Sequence, residues 1–295
     1  MNALHVIGSS GPVVDNLIEE WRDRFSSIEL TATGSLDEAI AAMLHRRPQW
    51  IVYCGRASQS SWSTNGSPSF DEPAYVERLV RTAGEFDAHV LVLSSDGIFS
   101  GPKLFHEENE PIAEDLECRH QHTLEQAALN AGPKRVLVVR THAFGWSRCG
   151  HSFAEQIWQT LEHGEPLEVD ATAFATPILT NDLAELLLRC IRARLHGLLH
   201  IGGAERTSQL RFALEMASIA GFDRRLVRSK PTDTLADYMV KSQRETSLAS
   251  RLVRRELGVA LPLLRESLLR FAEQAASGYR DRLRGTAEES LIRAA

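Results

Sequence analysis

The feature that most constrains this chain is residues 89–101, HVLVLSSDGIFSG, an apolar run that ends in two serines, an aspartate and a glycine. An unbroken run of valine and leucine reads as a strand buried on both faces, as strands are in parallel sheets. Polar side chains gather only at its carboxyl end. In an open α/β sheet that edge is where ligands bind, so one segment predicts both an architecture and the place of its site.

The rest of the chain repeats the pattern. A short strand over 4–8 meets glycine and serine, and Val13, Leu17, Ile18 and Trp21 then recur at helical spacing over 13–25. A helix over 35–46 has Ser35 and Glu38 placed as a capping box, with Pro48 beyond its end. Strands follow over 50–54, 90–93, 135–140 and 197–201, alternating with helices over 73–86, 118–130, 183–194 and 208–220. Two further amphipathic helices cover 250–257 and 263–275. Residues 58–69, rich in Ser, Gly and Asn, read as a flexible loop. Such alternation predicts a doubly wound parallel sheet of Rossmann type with helices on both faces and a smaller C-terminal lobe. The expected division is a nucleotide-binding domain over 1–148, continued by 175–203. A substrate lobe over 149–174 and 204–276 and a mobile charged tail over 277–295 complete it.

Composition narrows the function classes. A net charge of −6 argues against a dedicated nucleic-acid surface, and the arginine-rich pieces at 224–228 and 251–255 are short and flanked by acids. The start, MNALHVIGSSG, runs straight into a strand, so no secretory leader is expected, and no apolar run reaches the roughly 18 residues of a membrane span. Cysteines 54, 118, 149 and 190 lack C-x-x-C spacing, which fits reduced thiols and a cytoplasmic setting.

Gly8-Ser9-Ser10-Gly11-Pro12-Val13-Val14 lies where a strand turns into a helix. Glycines there let the backbone approach a pyrophosphate, and the helix N-terminus supplies N–H donors. Two glycines of a G-x-x-G-x-x-G pattern are present and Val14 stands in the third place, which weakens the match. Around ELTATG, residues 29–34, there is neither a clear acid for an NAD ribose nor an arginine for an NADP phosphate.

Residues 94–101 resemble the S-T-D-x-V-F-x-G run of the dTDP-4-dehydrorhamnose reductase-like family of extended short-chain dehydrogenases/reductases. Further segments match in order: VLVVRTHAFG at 136–145, Ser152-Phe153, Thr176-Pro177, Asn181-Asp182-Leu183-Ala184, Gly203-Ala204-Glu205-Arg206, and Arg244 through Leu248. The resemblance implies NAD or NADP held by Gly8, Ser9, Ser10, Gly11 and Ser94. It implies a nucleotide sugar or similar small molecule met by Asp96, His142, Ser152, Phe153 and Arg244, with Ser95 orienting the reacting carbonyl.

Such enzymes also carry a catalytic Tyr-x-x-x-Lys. Counted without a gap from Glu108 and Pro111, those places hold Cys118 and His122. A thiol donates a proton from a reference pKa of about 8.5, but a neutral imidazole does not replace a lysine's permanent charge. The alternative count, which falls on Glu117 and Gln121, is no better. Cys118, His120 and His122 do not form a metal site, because 118 and 122 share a helix face that 120 does not. Three readings stay open: a divergent sugar-nucleotide-binding protein with altered or lost reduction, a non-catalytic regulatory subunit like that of methionine adenosyltransferase, and a nucleotide-sugar epimerase. A homodimer or a regulatory protein partner fits any of them.

Overall fold

The computed structural model describes residues 3–33, 36–63, 71–110, 112–231 and 244–285. Five strands and the helices between them carry the nucleotide-type half: β1 (Leu4–Gly8), α1 (Pro12–Trp21), β2 (Ile28–Thr31), α2 (Leu36–Arg46), β3 (Trp50–Cys54), α3 (Glu72–Gly84), β4 (His89–Ser95), α4 (Leu116–Ala131) and β5 (Val136–Thr141). Four short strands follow, β6 (Ala143–Phe144), β7 (Leu167–Val169), β8 (Phe174–Ala175) and β9 (Ile178–Leu179), with α5 (Phe153–Glu162) between β6 and β7. Then come α6 (Thr180–Arg192), β10 (Gly197–Ile201), β11 (Thr207–Ser208), α7 (Gln209–Ala220), β12 (Val227–Ser229), α8 (Arg251–Leu257) and α9 (Leu264–Ala276).

The central sheet runs β2-β1-β3-β4-β5-β10 and every neighbouring pair is parallel. Strands β1, β3 and β5 are buried along their whole length, as their unbroken apolar runs require. The chain first moves one way from β1 to β2 and then returns to add β3 on the other side. The topological switch point therefore lies between β1 and β3, where a doubly wound sheet opens a crevice.

Apolar cores cover both faces of the sheet, one built with α1 and α6 and the other with α2, α3 and α4. A further core gathers Trp146, Trp158, Phe144, Phe212 and Phe271, with Trp146 stacked on Phe271 at 4.1 Å. Trp146 and Trp158 thus pack as core aromatics.

Several elements differ from their sequence-based expectation. Helix α1 stops at Trp21 rather than running to Phe25, and α4 starts at Leu116 because the Asp115 carboxylate accepts from the Cys118 amide. Ser35 lies outside the described residues. The serine-rich segment is more than a loop: Arg56–Ser58 forms a 3₁₀ turn, and Ser60 and Trp62 are each only 6% exposed. Within the segment expected to be a mobile tail, Leu283 is buried in the third core. There Tyr279 donates to Asn16 Oδ1 at 2.8 Å.

Candidate functional site

Two cavities open along the carboxyl edge of the sheet. The smaller, about 370 Å³, sits at the switch point and is lined by residues 9–14, Thr33, Cys54–Gly55, Cys149 and His151–Phe153. The larger, about 690 Å³, lies beyond the ends of β3 and β4 and reaches Ser95, Gly97, Glu117, Gln121, Arg244 and Thr246. Arg56, Gln59, Ser60 and Ser63 line both, so the turn after β3 forms the wall between them.

That turn depends on its glycine. A Cβ on Gly55 would collide with Glu72 Oε1 and the Tyr53 hydroxyl. Glu72 is itself buried, accepting from Tyr53 at 2.7 Å and from the Arg56 amide at 2.9 Å. This fixes Arg56, whose Nη2 reaches Glu117 at 2.7 Å while its buried Nη1 has no hydrogen-bond partner among the described residues.

In the smaller cavity the loop places Gly8, Ser9, Ser10 and Gly11 ahead of α1, whose N-cap, Gly11, supplies no side-chain acceptor. Val14 is buried, and its Cγ2 would lie 2.7 Å from a Cβ on Gly8, so it fills the space a third loop glycine leaves open. The cavity is lined by small loop residues ahead of a helix N-terminus, a setting that generally suits an anion, and Arg56 is in its wall. One device opposes it. Asp15, 1% exposed, accepts from Ser10 Oγ at 3.0 Å and from the Arg148 amide at 2.8 Å. Burial raises its pKa above the usual carboxylate value, against the pull of these donors and the Arg148 charge.

Ser95 and Ser94, adjacent at the end of β4, take different roles. Ser95 lines the larger cavity, and its Oγ accepts from the Gly97 amide at 3.3 Å and from Gln121 Nε2 at 3.2 Å. With both acceptor positions used, its own proton is left to donate to a ligand. Ser94, expected at the cofactor, instead donates to Glu125 and accepts from Gln121 at 2.8 Å beneath the cavity floor. Glu125 in turn holds Arg140 through two nitrogens, at 3.0 and 2.6 Å, with both side chains buried. Arg140 also meets His200 Nε2 at 3.3 Å; burial and that guanidinium push the His200 pKa down to about 3.

The Glu125–Arg140 pair fixes the rotation of α4. Positions 121 and 117, one and two turns earlier, then face the larger cavity, and Gln121 meets Ser95. Cys118 and His122, the pair expected from gapless counting, stand off that face, and neither lines a cavity. The Cys118 thiol is 4% exposed and donates to the Gly97 carbonyl at 3.1 Å. Burial and the neighbouring Asp115 raise its pKa well above the thiol range. Glu117 and Gln121, the alternative pair, both line the larger cavity, and Gln121 meets Ser95 there.

The remaining expected residues are spread over both cavities. Ser152 caps α5, accepting from the Glu155 amide at 3.2 Å, and lines the smaller cavity beside Phe153. Arg244 lines the larger one and pairs with Asp170 at 3.2 Å. Asp96 and His142 are fully buried and joined at 2.7 Å between Asp96 Oδ2 and His142 Nδ1. Asp96 also accepts from the Ser61 amide at 3.0 Å, from Ser61 Oγ at 2.7 Å and from Thr246 Oγ1. Burial alone would raise its pKa, but the His142 charge and these hydrogen bonds outweigh it and hold the carboxyl low.

Arg56, Ser61, Trp62 and Glu125 were not singled out from the sequence. Thr246 was already in register within the Arg244–Leu248 match, and the acid–arginine pair Glu125–Arg140 is the signal that would have set the helix register.

A six-stranded parallel sheet with a glycine–serine loop at its switch point and a polar cleft beyond β4 defines a doubly wound nucleotide-type fold. The chain belongs to the RmlD substrate binding domain family, whose model matches residues 3–277. Among solved structures it is similar to a Clostridium acetobutylicum dTDP-4-dehydrorhamnose reductase, 18% identical over 94% of this chain and 100% of that one, with a TM-score of 0.77. The Bacillus anthracis dTDP-4-dehydrorhamnose reductase in complex with NADP is 17% identical over 92% and 98%, with a TM-score of 0.75. A Bacillus anthracis dTDP-glucose 4,6-dehydratase in complex with NAD is 10% identical over 95% and 98%, also at 0.75. These likenesses show the fold. No curated protein matches the chain. Among the described residues no helix is long and apolar enough to cross a membrane.

Proposed function

We propose that the protein binds a nucleoside-diphosphate sugar in the larger cavity and NAD or NADP in the smaller one. It would be a divergent relative of the dTDP-4-dehydrorhamnose reductases, with conventional hydride transfer altered or lost. One observation carries this reading. Ser95 keeps a free hydroxyl proton at the cavity, while the α4 face beside it offers Glu117 and Gln121, and among the described residues no tyrosine or lysine lines that cavity. Arg56 and Arg244 are the cations positioned for a diphosphate.

Bound NAD(P)H would supply the hydride. Among the described residues, the cavity lining supplies the carbonyl donor, Ser95, but neither a phenol to protonate the nascent alkoxide nor a lysine to tune it. Loss of a positioned acid typically costs 10²–10⁴-fold in rate. Calorimetric titration with NADH, NADPH and a thymidine-diphosphate sugar tests the reading. Micromolar to submillimolar binding of the sugar nucleotide and one cofactor is expected, with single-turnover oxidation of NADPH by a 4-keto sugar nucleotide at least about 10²-fold below a Tyr/Lys enzyme.

A second reading, a non-catalytic regulatory or scaffolding subunit, is favoured by Asp15, whose carboxylate sits against the phosphate loop and takes up the Ser10 hydroxyl. Failure of both cofactors to bind at millimolar concentration would sink the first reading and support this one.

A further inference from the structure

The phosphate loop already holds an anion of its own. Asp15 lies in the first turn of α1 and is only 1% exposed. Its carboxylate accepts from Ser10 Oγ at 3.0 Å, from the Arg148 amide at 2.8 Å and from the Gly11 amide. Ser10 and Gly11 both line the smaller cavity, so two donors of that cavity's wall are turned to an internal carboxylate. A pyrophosphate seated on this loop would lie against residues that Asp15 touches directly. Like charges in a site shut off from water repel more than they would in bulk solvent. The compensating charge is slight. Arg148 Nε stands 3.7 Å from Oδ1, beyond hydrogen-bond reach, and has no hydrogen-bond partner among the described residues. Behind the loop that carries it, Arg284 is paired with Glu155 at 3.4 Å. Across the cavity stand Arg56, held by Glu117, together with Cys149 and His151. Burial already disfavours the ionised form of Asp15 and raises its pKa above the usual carboxylate value.

We propose that dinucleotide binding at this loop is proton-linked: the cofactor's pyrophosphate enters together with a proton from solvent that converts the Asp15 carboxylate to the neutral acid. Only an O–H bond forms, and nothing is oxidised or reduced. The neutral acid still accepts from the Arg148 amide, so the tie between α1 and the loop after β6 holds. Ser10 is no longer bound to a full charge, and its hydroxyl is free to donate to a phosphate oxygen. Linkage fixes the sign. The bound anion stabilises the protonated form, so affinity rises as pH falls through the range between the free and bound pKa values and levels off on either side.

The proposal rests on the reading that the smaller cavity holds NAD or NADP, and the experiment separates the two. The full chain is titrated calorimetrically with NAD⁺ and NADP⁺ across about pH 5.5–8. At each pH two buffers of different ionisation enthalpy give the number of protons taken up on binding. Fractional uptake, largest at the acid end and fading toward the alkaline end, is expected. Binding should be at least about threefold tighter at the acid end. Asp15→Asn should abolish that uptake and bind with nearly equal affinity across the range, and Asp15→Ser is the second variant should the first not fold. The 2′-phosphate of NADP⁺ titrates on its own account, and its share is the uptake that survives in these variants. His151→Gln removes the other proton acceptor of the cavity wall and should leave the Asp15 uptake in place. Binding with the same proton uptake in the parent chain and in Asp15→Asn, zero included, overturns this proposal alone, as does loss of the uptake in His151→Gln. Absence of binding by either cofactor overturns it together with the reading on which it rests.

Discussion

At the scale of single residues, two carboxylates flanking the cavities respond to pH in opposite senses. Asp96 is buried, yet His142 and three further donors hold its pKa below the ordinary 3.8. Its stabilising contribution is complete above that value and is lost as pH falls through the lower folded-state value. Asp15 is raised above 3.8 because burial outweighs its donors, so its ionisation weakens the folded state as pH climbs past that value. At pH 7, Asp96→Asn should therefore cost about 1–3 kcal/mol in urea unfolding. Asp15→Asn should be neutral or stabilising by up to about 1 kcal/mol. The Asp15 change also removes a negative charge beside the phosphate loop, so NADPH should bind severalfold more tightly. Equal destabilisation by the two variants, or weaker NADPH binding by Asp15→Asn, would contradict this account.

At the scale of elements, the rotation of α4 decides the chemistry. A one-residue shift turns a helix by about 100°, which separates Glu117 and Gln121 on the cavity face from Cys118 and His122 off it. Glu117→Tyr with Gln121→Lys should raise NADPH oxidation by a 4-keto sugar nucleotide at least tenfold over the parent chain. Cys118→Tyr with His122→Lys should give no gain and should destabilise, since Cys118 is buried against Gly97 and has no room for a phenol. Equal gains from both pairs would refute the register. The sheet itself was legible in the sequence because β3, β4 and β5 are apolar runs that burial on two faces demands. Helix α4 was legible as an element too. Which of its positions face the cavity was not, because that depends on contacts across the fold such as the buried Glu125–Arg140 pair. Ser61 and Trp62 escaped for another reason: a serine- and glycine-rich composition reads as loop, while the fold buries Trp62 against His142 and Phe212.

At the scale of the whole molecule, the chain's last described segment closes onto its first helix. Tyr279 donates to Asn16 Oδ1 and accepts from Asn181 at 3.0 Å, joining α1, α6 and the segment after α9. Asn16 also donates to the Trp146 carbonyl at 2.7 Å, so the helix behind the phosphate loop is tied to the aromatic core. Leu283 is 1% exposed within that core, Arg280 lies 5.4 Å over the Trp146 ring, and Arg284 reaches Glu155, the acid of the α5 capping box. The α5 cap is Ser152, which lines the smaller cavity, so residues 277–285 brace one wall of the site from behind. Burying a leucine contributes about 1.5–3 kcal/mol and each of the two tyrosine hydrogen bonds about 1 kcal/mol. A chain ending at Ala276 should thus lose roughly 3–5 kcal/mol of stability, and the loss should be smaller for Leu283→Ala alone. Its cofactor binding should weaken more than its sugar binding, because the braced wall belongs to the smaller cavity. Thermal unfolding and paired calorimetric titrations of the two variants measure both effects. A truncated chain that unfolds like the full one would show that this segment lies on the surface without bracing it.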